Sequence, residues 1–101
     1  MANLDNVLTA TSLVYGIPIY MLDSPARSVD VVHARQVAFI AARNITGNTF
    51  SQIGRAMGNR DQTTVMQGIR SFHKRIDPKE RDNLARIERL AAQLAQDKTP
   101  V

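Results

Sequence analysis

Cysteine and tryptophan are absent from this 101-residue sequence, and aromatic residues make up only 5% of it. Without cysteine there is no disulfide framework, no cysteine-ligated zinc and no thiol nucleophile, which is compatible with a reducing cytosol. Long hydrophobic runs are also missing, and the longest, Val37 to Ala42, is far too short to cross a bilayer. The opening residues, MANLDNVLTA, lack the basic start and apolar stretch of a secretory signal. We therefore expect a soluble, cytoplasmic protein with no membrane partner.

Acidic residues are scarce in the middle of the chain, although the net charge of the whole protein is only +4. Between residues 27 and 75, eight basic side chains accompany only two acidic ones, Asp30 and Asp61, whereas residues 1–26 contain no lysine or arginine. This segregation favours a polyanionic partner such as nucleic acid. The alternative is a solvated basic surface that has no partner.

Apolar residues recur at helical spacing along the chain, and no sustained alternation predicts a sheet. Cap and turn residues predict about six helices, with the third ending at Gly47 and the last beginning near Pro78. Apolar residues surround much of the third helix, which predicts that it is the central one. We expect one all-α domain over residues 1–97, with 98–101 as a tail.

Two short helices in the middle of the chain have clear boundary residues. Thr49 and Gln52 form a capping box for the first, Gly58 ends it, and Asp61 caps the second. The inner face of the second comprises Val65, Ile69, Phe72 and Ile76, and its outer face comprises Thr63, Gln67, Arg70 and Lys74. A tight turn between two helices, the second with an outward polar and basic row, predicts a helix-turn-helix over about 49–75.

Polar residues on the third and last helices point to further contacts. Arg35 and Arg43 are eight residues apart, so one exposed surface is predicted to present both of them to a phosphate backbone. The last helix, about 78–96, begins with Asp77, Pro78 and Glu80, which all favour a helix start. Its apolar stripe is predicted to pack on the domain's own core, and the alternative is a dimer seam.

The residues IGRAMGNRDQTTV, from Ile53 to Val65, resemble the signature of the C-terminal DNA-binding domain, domain IV, of the bacterial replication initiator DnaA. The resemblance extends back through ARQVAFIAARNITGNTFSQ, from Ala34 to Gln52. It implies an all-helical, Trp-repressor-like fold with a helix-turn-helix. That fold agrees with the boundaries predicted from caps and periodicity.

The start of the recognition helix meets base edges in the major groove in that family, which here implies Asp61, Gln62 and Thr63. The Asp61 carboxylate can accept from a base amino group, and the Gln62 amide can both donate and accept. The methyl group of Thr63 can contact a thymine methyl. From the spacing alone, Asp61 is a helix cap and Thr63 a solvent-facing residue. The family also places an arginine from the loop before the long helix in the adjacent minor groove, and Arg27 holds the matching position.

The resemblance and the outer row of the second short helix together assign the DNA backbone contacts. They are Ser28, Arg35, Gln36, Arg43, Arg60, Thr64, Gln67, Arg70 and Lys74. A structural role is the alternative for Arg60. Gln62 stands where the family usually has histidine, and Asn59 where it usually has glycine. The resemblance therefore implies a DNA-binding site but does not give the exact DNA sequence that is recognised. The loop DSPARSVD also has fewer basic residues than is common in the family.

We expect a stand-alone module that binds double-stranded DNA at DnaA-box-like sites on the nucleoid of a bacterium, or that comes from a phage. Such a module regulates transcription or replication initiation, or competes with DnaA. No glycine-rich phosphate loop is present, so no ATPase activity is expected. His33 and His73 lack a nucleophile or metal-ligand constellation, so we predict no enzyme, cofactor or metal site. The alternative is a protein-interaction module that modulates an initiator or another partner without reading DNA.

Overall fold

The structure, a computed structural model, describes residues 1–96 and shows six helices in this range. They are α1 (Leu4–Tyr15), α2 (Ile19–Asp23), α3 (Val29–Thr46), α4 (Phe50–Ala56), α5 (Gln62–Arg75) and α6 (Pro78–Gln96). No strand occurs among the described residues, and the predicted all-α class is confirmed. Within the same range, none of the helices is long and apolar enough to span a membrane. The expected tail at 98–101 lies outside the described residues.

The central helix is α3, as its broad apolar surface predicts. All five other helices pack against it, and its residues Val37, Ala38 and Phe39 are buried. Its buried neighbours include Val7, Leu22, Ile53, Val65 and Ile87, one from each of the other helices. Burial of a large apolar side chain stabilises a fold by about 1.5–3 kcal/mol, so the core around α3 holds the helices together.

Local hydrogen bonds set where α4 and α5 begin. The hydroxyl of Thr49 accepts from the backbone N–H of Gln52 at 3.1 Å, and Gln52 Oε1 accepts from the N–H of Thr49 at 2.9 Å, so the predicted capping box is confirmed. Asp61 Oδ1 accepts from the N–H of Thr64 at 3.0 Å and caps α5 as predicted. Gly58, with φ +85°, turns the chain between the two helices.

One apolar residue predicted to point inward is exposed instead. Ile76, assigned to the inner face of α5, is 69% exposed because it adopts left-handed angles, with φ +47°, and ends the helix. Val29, the first residue of α3, is exposed as well. Val65 and Phe72 on the inner face of α5 are buried, as predicted.

The last helix, α6, packs along α1 and α3. Ile87 and Ala91 are buried there, which confirms that its apolar stripe packs on the domain's own core. Asp77 Oδ1 accepts from the N–H of Lys79 at 2.9 Å at the start of the helix. Glu80 lies in the first turn of the helix, as predicted, and it is also buried and pairs with Arg75.

Candidate nucleic-acid interface

A groove lies between the loop before α3 and the start of α5. Two neighbouring depressions share Val32, Arg35, Arg60 and Thr64 in their walls, so they form one continuous surface, which we call the interface groove. The structure thereby brings together six of the predicted DNA-contacting residues: Arg27, Arg35, Gln36, Arg60, Thr64 and Gln67.

The first turn of α5 presents the exposed side chains of Gln62, Thr63 and Thr64. Asp61 and Gln62 line a further depression that shares Arg60 with the interface groove. Asp61 caps α5 through Oδ1, and its carboxylate has a second oxygen to offer a donor. The capping role and the base-reading role implied for Asp61 therefore use different atoms and are compatible.

Arg27 and Ser28 are exposed at the opposite end of the interface groove, immediately before α3. The Ser28 side chain makes no capping hydrogen bond, although the residue is the N-cap of α3. Its hydroxyl therefore remains able to bind a ligand.

Two glycines bring α5 close to its neighbours. A Cβ atom at Gly68 would lie 3.0 Å from Phe39 Cδ2 and 3.3 Å from Gln36 Cγ on α3. A Cβ atom at Gly54 of α4 would collide with the carbonyl oxygen of Arg60, whose N–H donates to the Gly54 carbonyl at 2.7 Å. Sequence reasoning passed over both residues, although an isolated glycine in a helical pattern signals close packing.

Arg35 does not share an exposed surface with Arg43, and that prediction was wrong. It is only 8% exposed, and its guanidinium donates to the carbonyls of Leu22 at 2.9 Å, Ser24 at 2.8 Å and Ala26 at 3.2 Å. Helical spacing places Arg35 on the polar side of α3, but the loop after α2 covers that side. The carbonyl groups of this loop take up donors that the prediction had assigned to phosphates.

Arg60 reaches the same loop from the turn between α4 and α5. Its Nη2 donates to the carbonyl of Ser24 at 2.7 Å, and its Nη1 donates to the carbonyl of Met57. Burial lowers the pKa of both Arg35 and Arg60, and the charge of Arg60 lowers that of Arg35 further. The Asp23 carboxylate raises both pKa values and offsets part of this effect. These bonds favour the structural alternative for Arg60.

The remaining predicted basic contacts are exposed but lie outside the interface groove. Arg43 is near the far end of α3, where its guanidinium lies 4.7 Å from the centre of the Phe50 ring and donates to the carbonyl of Asn48 at 3.0 Å. It therefore adjoins the start of α4. Arg70 and Lys74 are one turn apart on the outer face of α5.

Gln36 is oriented by a half-buried ion pair that sequence reasoning missed. Arg75 Nη1 donates to Gln36 Oε1 at 2.5 Å, while Arg75 Nε and Nη2 donate to the two carboxylate oxygens of Glu80 at 2.8 and 2.7 Å. Glu80 is 5% exposed, and its hydrogen bonds with Arg75 are the main cause that raises the pKa of Arg75. Because Arg75 engages the amide oxygen, Gln36 has its N–H groups to offer a ligand in the interface groove.

Both histidines make structural contacts. His33 Nδ1 lies 3.7 Å from Glu80 Oε1, and the His73 ring meets the Phe72 ring edge-on with 5.4 Å between centroids. Over residues 1–96, no three histidine, aspartate or glutamate side chains are grouped to hold a metal ion.

Two short helices joined by a tight turn, the second with an exposed polar start near the loop that carries Arg27, define a helix-turn-helix domain. Comparison with known proteins narrows this class. The family model described as bacterial dnaA protein helix-turn-helix matches residues 4–71. The chain therefore belongs to the bacterial DnaA helix-turn-helix family, which confirms the resemblance found in the sequence.

Relatives include full-length replication initiators. The chromosomal replication initiator protein DnaA of Francisella tularensis subsp. novicida is 35% identical over 71 residues, which cover 70% of this chain and 14% of that protein. The protein of the same name from Mycoplasma capricolum subsp. capricolum is 37% identical over 70 residues, which cover 69% of this chain and 16% of that protein. The match is thus confined to a small part of each initiator.

Proposed function

We propose that this chain binds double-stranded DNA sequence-specifically, with α5 in the major groove and Arg27 in the adjacent minor groove. The observation that carries the proposal is the interface groove, because it joins the exposed Arg27 loop to the exposed start of α5 on one side of the molecule. Family membership supports it, because the relatives are chromosomal replication initiators.

Base reading is assigned to Asp61, Gln62 and Thr63 at the start of α5, together with Arg27. The second carboxylate oxygen of Asp61 accepts from a cytosine or adenine amino group, and the Gln62 amide both donates and accepts. The methyl group of Thr63 contacts a thymine methyl. The guanidinium of Arg27 suits the negative potential of a narrow minor groove.

Phosphate contacts are assigned to exposed or half-buried polar residues around the same surface. They are Ser28, Gln36, Arg43, Thr64, Gln67, Arg70 and Lys74. Contacts of this kind position a protein on the duplex without reading sequence. Arg35 and Arg60 are left out of this set because their guanidinium groups bond to loop carbonyls. We propose that residues 1–97 act as one DNA-binding domain, with α1 and α6 completing the core around α3.

The biological role that we infer is regulation of transcription or replication initiation at DnaA-box-like sites, on the nucleoid in the bacterial cytoplasm. Occupancy of such a site excludes the initiator, so competition with DnaA is the proposed mechanism. This role needs only DNA binding, and the 101 residues contain no glycine-rich phosphate loop.

Selection from a randomised pool of double-stranded DNA at near-physiological salt, followed by sequencing, tests this function. Enrichment of one motif supports sequence reading, and a motif that resembles a DnaA box supports competition with the initiator. Weak, salt-sensitive binding without enrichment contradicts the proposal and favours the protein-interaction module.

A matched pair of arginine variants tests the orientation of the protein on DNA. Arg70 on α5 and Arg89 on α6 are both exposed, but only Arg70 lies on the proposed DNA-binding surface. Arg70→Ala should weaken binding to every duplex and reduce the slope of log K against log salt concentration by about 0.9. Arg89→Ala should leave both quantities unchanged, and equal losses in the two variants would contradict the orientation.

A further inference from the structure

Two guanidinium groups from different parts of the fold converge on one short stretch of backbone. Arg35 of α3 and Arg60 of the helix-turn-helix turn both donate to the carbonyl of Ser24, at 2.8 and 2.7 Å. Both also donate to the carbonyl of Leu22, at 2.9 and 3.5 Å. We call these two side chains and the carbonyls of residues 22–26 the loop anchor. It ties the loop before α3 to two helical elements at once.

Stability alone does not account for the loop anchor. Burial lowers the pKa of each guanidinium, and the charge of Arg60 lowers that of Arg35 further, so holding the two cations side by side is unfavourable even though the Asp23 carboxylate offsets part of the effect. Apolar side chains of similar volume often serve a core as well or better than buried charges. A planar guanidinium, however, bonds several carbonyls in a fixed arrangement, which an apolar group does not do. The chemistry of the loop anchor therefore suits geometric control of the loop.

Gly58 supplies an independent sign of this close fit. A Cβ atom at Gly58 would collide with the carbonyl oxygen of Asp23 and with the guanidinium of Arg60. The turn of the helix-turn-helix and the end of α2, where the loop before α3 begins, therefore touch closely, and the two elements are held as one unit.

Each element proposed to enter a DNA groove directly follows an anchored residue. Arg27 follows Ala26, whose carbonyl accepts from Arg35 at 3.2 Å, and Asp61 follows Arg60 itself. We propose that Arg35 and Arg60 are positioning residues that fix the spacing between Arg27 and the start of α5, so that both grooves of the duplex are engaged at once. This inference rests on the proposed DNA-binding function. A preorganised pair of contacts binds more tightly because less freedom is lost on binding.

Arg60→Lys tests the inference because it retains the positive charge but loses the planar fork. When the loop is no longer held, Arg27 should lose its minor-groove contact. The variant should then bind the selected duplex on the order of tenfold more weakly, with a salt slope lowered by about 0.9, although the net charge is unchanged. Arg27→Ala should show the same two changes.

The double variant Arg27→Ala with Arg60→Lys separates positioning from general weakening. It should bind no more than about twofold more weakly than Arg27→Ala alone, because the loop anchor acts through Arg27. The inference would be overturned if the affinity losses of the two single variants multiply in the double variant, or if Arg60→Lys has the same salt slope as the wild type. Either result would leave the proposed DNA-binding function standing. A wild-type chain that binds no DNA would overturn the proposed function and this inference with it.

A distance measurement on the free protein tests the same inference without DNA, and it can use Arg35→Lys if Arg60→Lys does not fold. The chain has no cysteine, so nitroxide labels attach only where Arg27→Cys and Lys74→Cys introduce one. Pulsed electron paramagnetic resonance should give a narrow distance distribution between these labels in the otherwise wild-type chain. Either Arg35→Lys or Arg60→Lys, whichever variant folds by circular dichroism, should broaden it. An equally narrow distribution in the variant would overturn the inference.

Discussion

The two ends of α5 are both held by arginine, but in electrostatically opposite ways. At the start, Arg35 and Arg60 share backbone carbonyls, and burial lowers the pKa of both. At the end, Arg75 pairs with Glu80, and that hydrogen-bonded partner raises the pKa of Arg75. The complementary Arg75–Glu80 pair joins α5 to α6, whereas the two guanidinium groups at the start of α5 bond to backbone carbonyls beside the Asp23 carboxylate. The Arg75–Glu80 pair therefore serves the fold, and we propose that the start of α5 serves recognition.

The largest effect is expected from breaking the pair at the end of α5. Glu80→Gln leaves the guanidinium of Arg75 without its carboxylate partner, so the free energy of unfolding should fall by about 3 kcal/mol. Urea denaturation measures this change. Asp82→Asn removes an exposed carboxylate from the same helix and should change stability by less than about 0.5 kcal/mol. Equal stabilities of the two variants would show that the Arg75–Glu80 pair does not hold this end.

Two glycines with similar φ angles test how closely the loop and the turn before α5 are packed. Gly58 and Gly47 have φ +85° and +74°, but only Gly58 is crowded by Asp23 and Arg60. Gly47→Ala should destabilise the fold by about 1 kcal/mol through backbone strain alone. Gly58→Ala should destabilise it by about 2 kcal/mol more, because a methyl group collides with the loop. Thermal unfolding of the pair measures the difference, and equal losses would argue against close contact between loop and turn.

A histidine at the start of α5 should change recognition without changing stability. Gln62→His introduces the residue that the family usually has, and should shift the selected motif towards a DnaA box, with discrimination of about 1–3 kcal/mol at the contacted base pair. His73→Gln makes the reverse exchange at the other end of the same helix and should leave the motif unchanged. Selection from the randomised pool compares the two variants. A shifted motif in His73→Gln alone would reverse the roles assigned to the two ends.

The smallest effect concerns Asp23 beside the loop anchor. Burial raises the pKa of Asp23 above its ordinary value of 3.8, against the opposing charges of Arg60 and Arg35. A carboxyl whose pKa is higher when folded contributes stability that is fully present below the unfolded pKa and is lost as pH rises through the folded pKa. The stability of the wild type relative to Asp23→Asn should therefore decline as the pH rises above the ordinary pKa of 3.8 and through the higher folded pKa. Denaturation at several pH values tests this, and a relative stability that rises with pH would contradict it.

Helix ends were predictable because the residues that fix them are neighbours in sequence. Thr49 and Gln52 cap α4 through bonds three residues apart, and Asp61 caps α5 in the same way. The base-reading role that we propose for the side chains at the start of α5 comes from the family signature, because the cap spacing predicts only the helix boundary.

The loop anchor was not predictable from the sequence because its acceptors are backbone carbonyls, which every residue has. Arg35 bonds to Leu22, 13 residues away, and Arg60 bonds to Ser24, 36 residues away. Periodicity assigned Arg35 to a polar surface, and only the tertiary path of the loop shows that this surface is covered. The bond between Arg75 and Gln36, 39 residues apart, was hidden for the same reason.

An NMR titration of the isotopically labelled protein with the selected duplex tests most directly whether the start of α5 and the Arg27 loop read DNA together. We expect the backbone amides of residues 27–28 and 61–64 to shift together at the same DNA ratio, along with the side-chain amides of Gln36 and Gln67. The amides of α1 and of α6 beyond residue 84 should remain in place. Shifts that are confined to α1 and α6, with residues 61–64 unchanged, would contradict the claim that the start of α5 and the Arg27 loop form one DNA-reading surface.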